Sequence, residues 1–275
     1  APSIDKNITF ERVNLLNAKE CKSIFKGFDV IVHLAGVMMT SSVTENNPFK
    51  GINENLQIIT NILEALSVQA PEKFIWMSST TGYPLANKDL KENDFFQREV
   101  PKRYEIVGSL YRLIETIVNK NLKDKCNLIT LRPTGVFGED DDFSPKSSHI
   151  LPKIIRESFL NSLPETIYAQ KEEMRNWIYV EDLVGALDLL LTNIDESLVL
   201  NIGAKESTSM YELYKIILKI FGLEKYHQIN SDHNIYGEPM ARNIDCSLSR
   251  RFLGKYNQTP LEMGLIKTIN WYKNQ

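Results

Sequence analysis

Apolar residues along this chain fall into short continuous runs and longer stripes, and the two alternate. Asp29–Leu34 (DVIVHL), Lys73–Met77 (KFIWM) and Asn127–Leu131 (NLITL) are compact apolar runs without the every-other-residue rhythm of a half-exposed strand. Such runs fit strands covered on both faces, as in a parallel sheet. Ile8–Val13, Asn176–Val180 and Val199–Ile202 read as further strands. Between them run helical stripes. Ala18–Phe25 predicts a short helix, Asn53–Val68 a longer one with Leu56, Ile59, Ile62, Leu63 and Leu66 on one side, and Ile106–Asn121 another. His149–Leu160, Glu181–Leu191, Ser209–Phe221 and Leu261–Lys273 follow, with Ser207 or Thr208 as the expected cap of the third of these. Strand and helix in alternation predict an α/β fold, a Rossmann-like doubly wound parallel sheet.

After Arg132-Pro133 the texture changes. Residues 139–148 (EDDDFSPKSS) form a polar loop, and the later elements alternate with loops instead of forming a separate compact run. This predicts a dinucleotide-binding domain over 1–138, with segments such as 176–203 returning to it, and a smaller interleaved substrate lobe over 139–275.

Composition narrows the class only a little. The 275 residues are 43% hydrophobic and 24% charged with a formal net charge of −3, so no overall field recruits nucleic acid or an anionic membrane. No apolar run approaches a membrane span and no signal peptide opens the sequence, which predicts a cytoplasmic protein. Cys21, Cys126 and Cys246 are isolated, an odd set without C-x-x-C spacing, and are expected as free thiols; no metal site is expected. No glycine-rich G-x-x-G-x-x-G or G-x-G-x-x-G turn occurs, although dinucleotide folds hold the pyrophosphate on such a turn. The expectation is that a first strand–turn–helix unit belongs to a longer natural chain, adding roughly 50 residues.

Several segments, in this order, resemble the extended short-chain dehydrogenase/reductase family, the NAD-dependent epimerases and dehydratases. They are His33-Leu34-Ala35-Gly36; Asn47-Pro48 with Asn55 and Leu63-Glu64-Ala65; Trp76 to Pro84 (WMSSTTGYP); Arg132 to Gly138 (RPTGVFG); Arg175 to Asp182 (RNWIYVED); Asn201-Ile202-Gly203; and Trp271-Tyr272. Asp142 to Pro152 (DFSPKSSHILP) resembles the branch of GDP-L-fucose synthase-like epimerase/reductases.

The resemblance implies a set of site residues. NAD or NADP would lie along Leu34, Ala35 and Gly36, with Asn55, Tyr111, Pro133 and, at the adenine end, Asn14. Ser79, four residues before Tyr83, would hydrogen-bond the reacting sugar oxygen, and a donor at a strand's carboxyl end suits a developing alkoxide. The family's Y-x-x-x-K pair is altered. Anchoring on Gly108 and Glu115 puts Val107 at the tyrosine and Tyr111 at the lysine, whereas anchoring on Tyr104 puts Gly108 at the lysine. Either Tyr104 or Tyr111 then acts in altered geometry, or the chemistry is impaired; seven residues apart, both can face one side of a helix.

His149 matches an epimerisation acid whose cysteine partner is Thr81 here, too weak an acid for carbon protonation. Thr80, Thr81, Thr134 and His149 would contact the substrate, and Arg175 and Arg242 would grip the diphosphate, joined by Lys153 and Arg156 from the His149 helix. The implied activity is an NAD(P)-dependent 4-keto reductase or C4 epimerase of nucleotide sugars, in surface polysaccharide or deoxysugar biosynthesis. The alternative is a catalytically impaired nucleotide-sugar-binding relative with a regulatory role. Relatives pair through the two helices at 53–68 and 106–121, which implies a homodimer.

Overall fold

The computed structural model describes residues 7–39, 47–86, 88–232, 242–254 and 258–275. Its main sheet holds β1 (Val30–His33), β2 (Lys73–Met77), β3 (Asn127–Pro133) and β7 (Leu198–Ile202), in the order β1-β2-β3-β7 and parallel throughout. The side chains of β2 show why the runs are continuous. Phe74 and Trp76 pack with helices α2 (Pro48–Leu66) and α3 (Glu105–Leu122), whereas Ile75 packs with α5 (Val180–Asn193) on the opposite face. Both faces are covered, so both registers must be apolar. Trp76 Nε1 and Thr130 Oγ1, on adjacent strands, satisfy each other at 2.8 Å inside this core.

The second layer begins at β4 (Gly135–Phe137), which pairs with β6 (Met174–Tyr179), itself paired antiparallel with β8 (Ser207–Ser209). Helices α4 (Ile150–Phe159), α6 (Met210–Phe221) and α8 (Leu261–Lys273) bury Ile155, Leu213 and Ile269 with Phe137 and Tyr179 of these strands. A two-stranded ribbon joins β5 (Thr166–Tyr168) to β9 (Gln228–Asn230). The short α1 (Ala18–Ile24) is capped by Asn17, whose side chain accepts from Lys19 N and Glu20 N, and α7 (Ser247–Leu253) sets Leu253 against the α5 face of the main sheet.

Three expectations are corrected. Residues 8–13 pair with no strand of the described sheets and leave Ile8 and Phe10 exposed; β-prone residues form a strand only beside a partner. The first long helix starts at Pro48, five residues before the expected Asn53, because proline is well tolerated in a first helical turn. The cap of α6 is neither Ser207 nor Thr208 but Ser209, whose hydroxyl accepts from Glu212 N; the two earlier hydroxyl residues lie in β8. Cys21, Cys126 and Cys246 are free, with Cys21 and Cys246 buried.

Candidate active site

Parallel strands end together, so β1, β2, β3 and β7 deliver the segments that follow them to one edge of the sheet, where α/β proteins bind ligands. After β1 comes Leu34-Ala35-Gly36, an exposed turn fixed from below by Asn55. The Asn55 amide accepts from Val37 N at 2.9 Å and donates to Val37 O and Gly51 O at 2.9 and 2.8 Å. A Cβ at Gly36 would stand 3.1 Å from Asn55 Oδ1, so the small residue lets the turn lie flat on the helix. His33, Leu34, Ala35, Gly36, Asn55, Ser78 and Tyr111 line one cleft. Burial pushes His33 down to about 4 and raises the Tyr111 phenol above its usual value, so both stay neutral at physiological pH.

After β2 the chain turns tightly over Thr80–Gly82 with Ser79 as the cap. Ser79 Oγ accepts from Thr81 N at 3.2 Å and lies 2.9 Å from Thr81 Oγ1, while Thr80 Oγ1 donates to the carbonyl of Pro133 at 3.3 Å. Helix α3 meets this turn at Gly108, where an added Cβ would sit 2.6 Å from the Thr81 carbonyl oxygen. Seven residues on, Glu115 accepts from Ser78 Oγ and from Arg132 Nε and Nη2, the last two at 2.9 and 2.7 Å. Gly108 and Glu115 thus fix the helix against β2 at two heights, and Tyr111 lies between them.

Beneath the turn, Arg132 Nη1 also donates to Tyr83 OH and to the Glu92 carbonyl, both at 2.8 Å, and Tyr83 OH donates to Asn201 Oδ1 at 2.6 Å. Arg132, Tyr83, Glu115 and Asn201 are all buried. Sequence reasoning placed Glu115 only as an anchor and Tyr83 only as spacing; nothing local marks them as one network.

A second charged cluster stands at the rim. Tyr104 ends a 3₁₀ turn after Pro101 and precedes α3, so it does not share a helix face with Tyr111 as expected. Its ring carries the Arg242 guanidinium at 4.2 Å, and Arg242 Nη1 reaches the Thr80 carbonyl at 3.4 Å. Desolvation lowers the Arg242 pKa from its ordinary value; the Tyr104 hydroxyl opposes that shift, while Arg175 and Arg103 add to it. Arg175 donates to Glu173 Oε1 from Nη2 at 2.6 Å and from Nε at 3.2 Å, and Arg103 Nη1 lies 3.8 Å from the same oxygen. The structure therefore brings Ser79, Thr80, Thr81, Tyr104, Arg175 and Arg242 together, and adds Arg103, which the sequence reading omitted.

Other expected residues lie apart from that group. Arg156 is turned inward, with Nη1 donating to Phe143 O, Ser144 O and Ser148 Oγ, so it holds the 143–148 loop instead of facing a ligand. Lys153 is half exposed, 3.9 Å from Glu157. His149 is exposed at the cap of α4. Asn14 is exposed, its Oδ1 taken by Leu16 N. Thr134 is buried, with Oγ1 unpaired, against Gly203.

The sheet edge, the turn after β2 and the neighbouring helix define a Rossmann-like α/β protein with its site at the strand ends. The chain belongs to the NAD dependent epimerase/dehydratase family, whose sequence profile matches residues 1–203. It is 24% identical to the GDP-L-fucose synthase of Escherichia coli over 96% of this chain and 87% of that protein. A GDP-L-fucose synthetase from Naegleria fowleri bound to NADP superposes with a TM-score of 0.81, at 17% identity, over 94% of this chain and 81% of that one. A UDP-glucose 4-epimerase from Thermotoga maritima with UDP-glucose gives 0.80 at 20% identity, over 98% and 86%. No helix among the described residues is long and apolar enough to cross a membrane.

Proposed function

We propose that the protein is an NAD(P)-dependent enzyme acting on a nucleoside diphosphate sugar, in surface polysaccharide or deoxysugar biosynthesis, and that it works as a 4-keto reductase. The observation that carries this reading is the link from Ser79 to the basic rim: Arg242 reaches the carbonyl of Thr80, one residue from Ser79. A diphosphate on Arg103, Arg175 and Arg242 would leave its sugar over the Ser79 turn. The named relatives and neighbours, which include a GDP-L-fucose synthase and a UDP-glucose 4-epimerase, support the substrate class.

The cleft fits one end of a dinucleotide: Leu34, Ala35, Gly36 and Pro133 would lie along it, with Asn55 holding their turn and Tyr111 beside it. The cofactor supplies the hydride. Ser79 donates a hydrogen bond to the sugar carbonyl oxygen and stabilises charge as it develops there. Tyr111 is the proton source. Burial raises its pKa, so at neutral pH it stands as the protonated phenol, the form that can donate a proton but cannot accept one as a phenolate base. That asymmetry favours ketone reduction over a C4 epimerase, which must first oxidise an alcohol.

Full-length protein incubated with NADPH and 4-keto sugars linked to GDP, UDP, CDP or dTDP should consume NADPH with one of them. Tyr111→Phe should then lower kcat by about a hundredfold with little change in KM, the scale of a lost acid. Binding without any hydride transfer would favour the second reading, a silent nucleotide-sugar-binding relative, for which Val107 in the tyrosine place speaks.

On this reading the enzyme is cytoplasmic and dimerises through α2 and α3. Ile106 and Leu113 on α3, each 47% exposed, support such a face. Light scattering after gel filtration should return twice the monomer mass.

A further inference from the structure

Among the described residues the rim cluster combines three cations, Arg103, Arg175 and Arg242, with the carboxylate of Glu173. Among the described residues the side-chain partners of Glu173 are Arg175 and Arg103, both through Oε1, and its backbone carbonyl is already used by Met210 N at 3.0 Å. The carboxylate is four-fifths covered, with its side chain 20% exposed, so water screens it poorly. It takes the Nε–Nη2 edge of Arg175, the paired-donor edge that a phosphate would otherwise use. An arginine cluster built only to capture phosphate gains nothing from a carboxylate in that place.

We propose that Glu173 is a specificity residue. It trims the cluster of Arg103, Arg175 and Arg242 to a net charge that matches a sugar-linked diphosphate and disfavours the free nucleoside diphosphate. This rests on the diphosphate assignment made above. With Glu173 ionised the cluster carries two net positive charges, from three guanidiniums and one carboxylate. A nucleoside diphosphate sugar carries about −2, one charge on each phosphodiester-like phosphate. A free nucleoside diphosphate ends in a monoester phosphate whose second pKa is about 6, so it carries about −3 at neutral pH. The additional charge meets Glu173, and the site rejects competing free nucleotide without any contact to the sugar. Discrimination comes from a repulsive element placed beside the attractive ones.

Calorimetric titration of the full-length protein with UDP-glucose, GDP-mannose, UDP and GDP tests this in the wild type, in Glu173→Gln and in Arg242→Ala. Glu173→Gln keeps the side chain's shape and removes its charge. It should shift the ratio of affinities about fivefold toward the free diphosphates, the effect of one unit charge some 8 Å away through partly wet protein. The double variant Glu173→Gln/Arg103→Gln restores the net charge and should return the ratio toward the wild type, which a purely structural role for Glu173 would not do. An unchanged ratio, or both ligand classes weakened together, overturns the inference while Arg242→Ala still weakens binding. If the wild type binds none of the four, or Arg242→Ala changes nothing, the diphosphate assignment itself falls.

Discussion

Two charged clusters flank the Ser79 turn, and they are built on opposite principles. Beneath it, Glu115 and Arg132 face each other with both carboxylate oxygens and all three guanidinium nitrogens engaged, and Ser78, Tyr83 and Asn201 extend the network. At the rim, Arg103 and Arg175 share the Glu173 carboxylate, and Arg242 rests on the Tyr104 ring. A buried charge must be matched, because its desolvation is offset only by a partner of good geometry. Arg103 and Arg175 keep part of their side chains in water, where an unmatched charge costs little, and the desolvated Arg242 leans instead on the Tyr104 ring and the Thr80 carbonyl. The excess of cations at the rim is therefore a property the fold does not need, and a ligand can use it. The satisfied network is scaffold, and on the proposed function the unsatisfied one is the binding surface.

The sharpest way to break that comparison is to remove one member of each. Glu115→Ala leaves Arg132 buried without its partner and should cost about 3–5 kcal/mol in a denaturant titration. Replacing the pair together, Glu115→Leu with Arg132→Met, should recover part of that loss, since the penalty belongs to the stranded charge. Were Glu115→Ala to cost no more than an exposed substitution, the interior network would not be the scaffold described.

His33 lines the cleft at the strand ends and reports on how dry it is. Its imidazole packs against Phe74 with centroids 6.4 Å apart, and its pKa is pushed down to about 4 from 6.5 by burial. A proton therefore binds the unfolded chain more tightly than the folded one between these values. The stability contributed by neutral His33 is fully present above about pH 6.5 and is lost progressively as pH falls toward 4, by on the order of 2–3 kcal/mol in all. Unfolding curves at several pH values should show this loss in the wild type and a flatter dependence in His33→Gln. A cleft wet enough to solvate the imidazolium would give the same profile for both.

The third effect is smaller and tests how tightly the turn is clamped. A Cβ at Gly108 meets Val100 Cγ1 at 2.5 Å and the Thr81 carbonyl oxygen at 2.6 Å, and a backbone oxygen cannot swing aside. Gly108→Ala should cost about 1–3 kcal/mol as overpacking, although alanine is the better helix former. If the variant is as stable as the wild type, α3 has room to slide, and the register that places Tyr111 opposite Ser78 is softer than the geometry implies.

How much of this was legible beforehand depends on whether the cause is local. Lys73–Met77 and Leu261–Lys273 could be read to the residue, because burial on both faces, or on one stripe, writes itself into consecutive side chains. Residues 8–13 carry the same β-prone composition, yet form no ladder, since a strand depends on its neighbour. The cap of α6 could not be chosen among Ser207, Thr208 and Ser209 by propensity; pairing of Ser207–Ser209 with β6 decides it. The rim arginines at 175 and 242 were visible as motif residues, and Arg103 was not, because it joins them only through the 3₁₀ turn before α3. Arg156 was expected among the substrate-binding cations, but the polar loop folds back over it and supplies three oxygens. Glu115 and Arg132 lie 17 residues apart on a helix and a strand, and no spacing rule connects them.

The smallest expected change is the one that completes the contrast. Arg175→Ala removes a guanidinium whose side chain is 23% exposed and whose ion-pair partner, Glu173, is 20% exposed. The pair is screened on one side and competes with Arg103 for the same oxygen, so its loss should cost less than about 1 kcal/mol of stability. Relief of repulsion with Arg242 offsets part even of that. Binding should respond the other way: removing a paired-donor contact to phosphate should weaken a nucleoside diphosphate sugar by roughly tenfold or more, at about 1.5–3 kcal/mol for a hydrogen bond to a charged group. Stability and affinity measured on the same sample then separate the two clusters. A variant that loses several kcal/mol of stability while binding is unchanged would place Arg175 with the scaffold and leave the rim without its excess of charge.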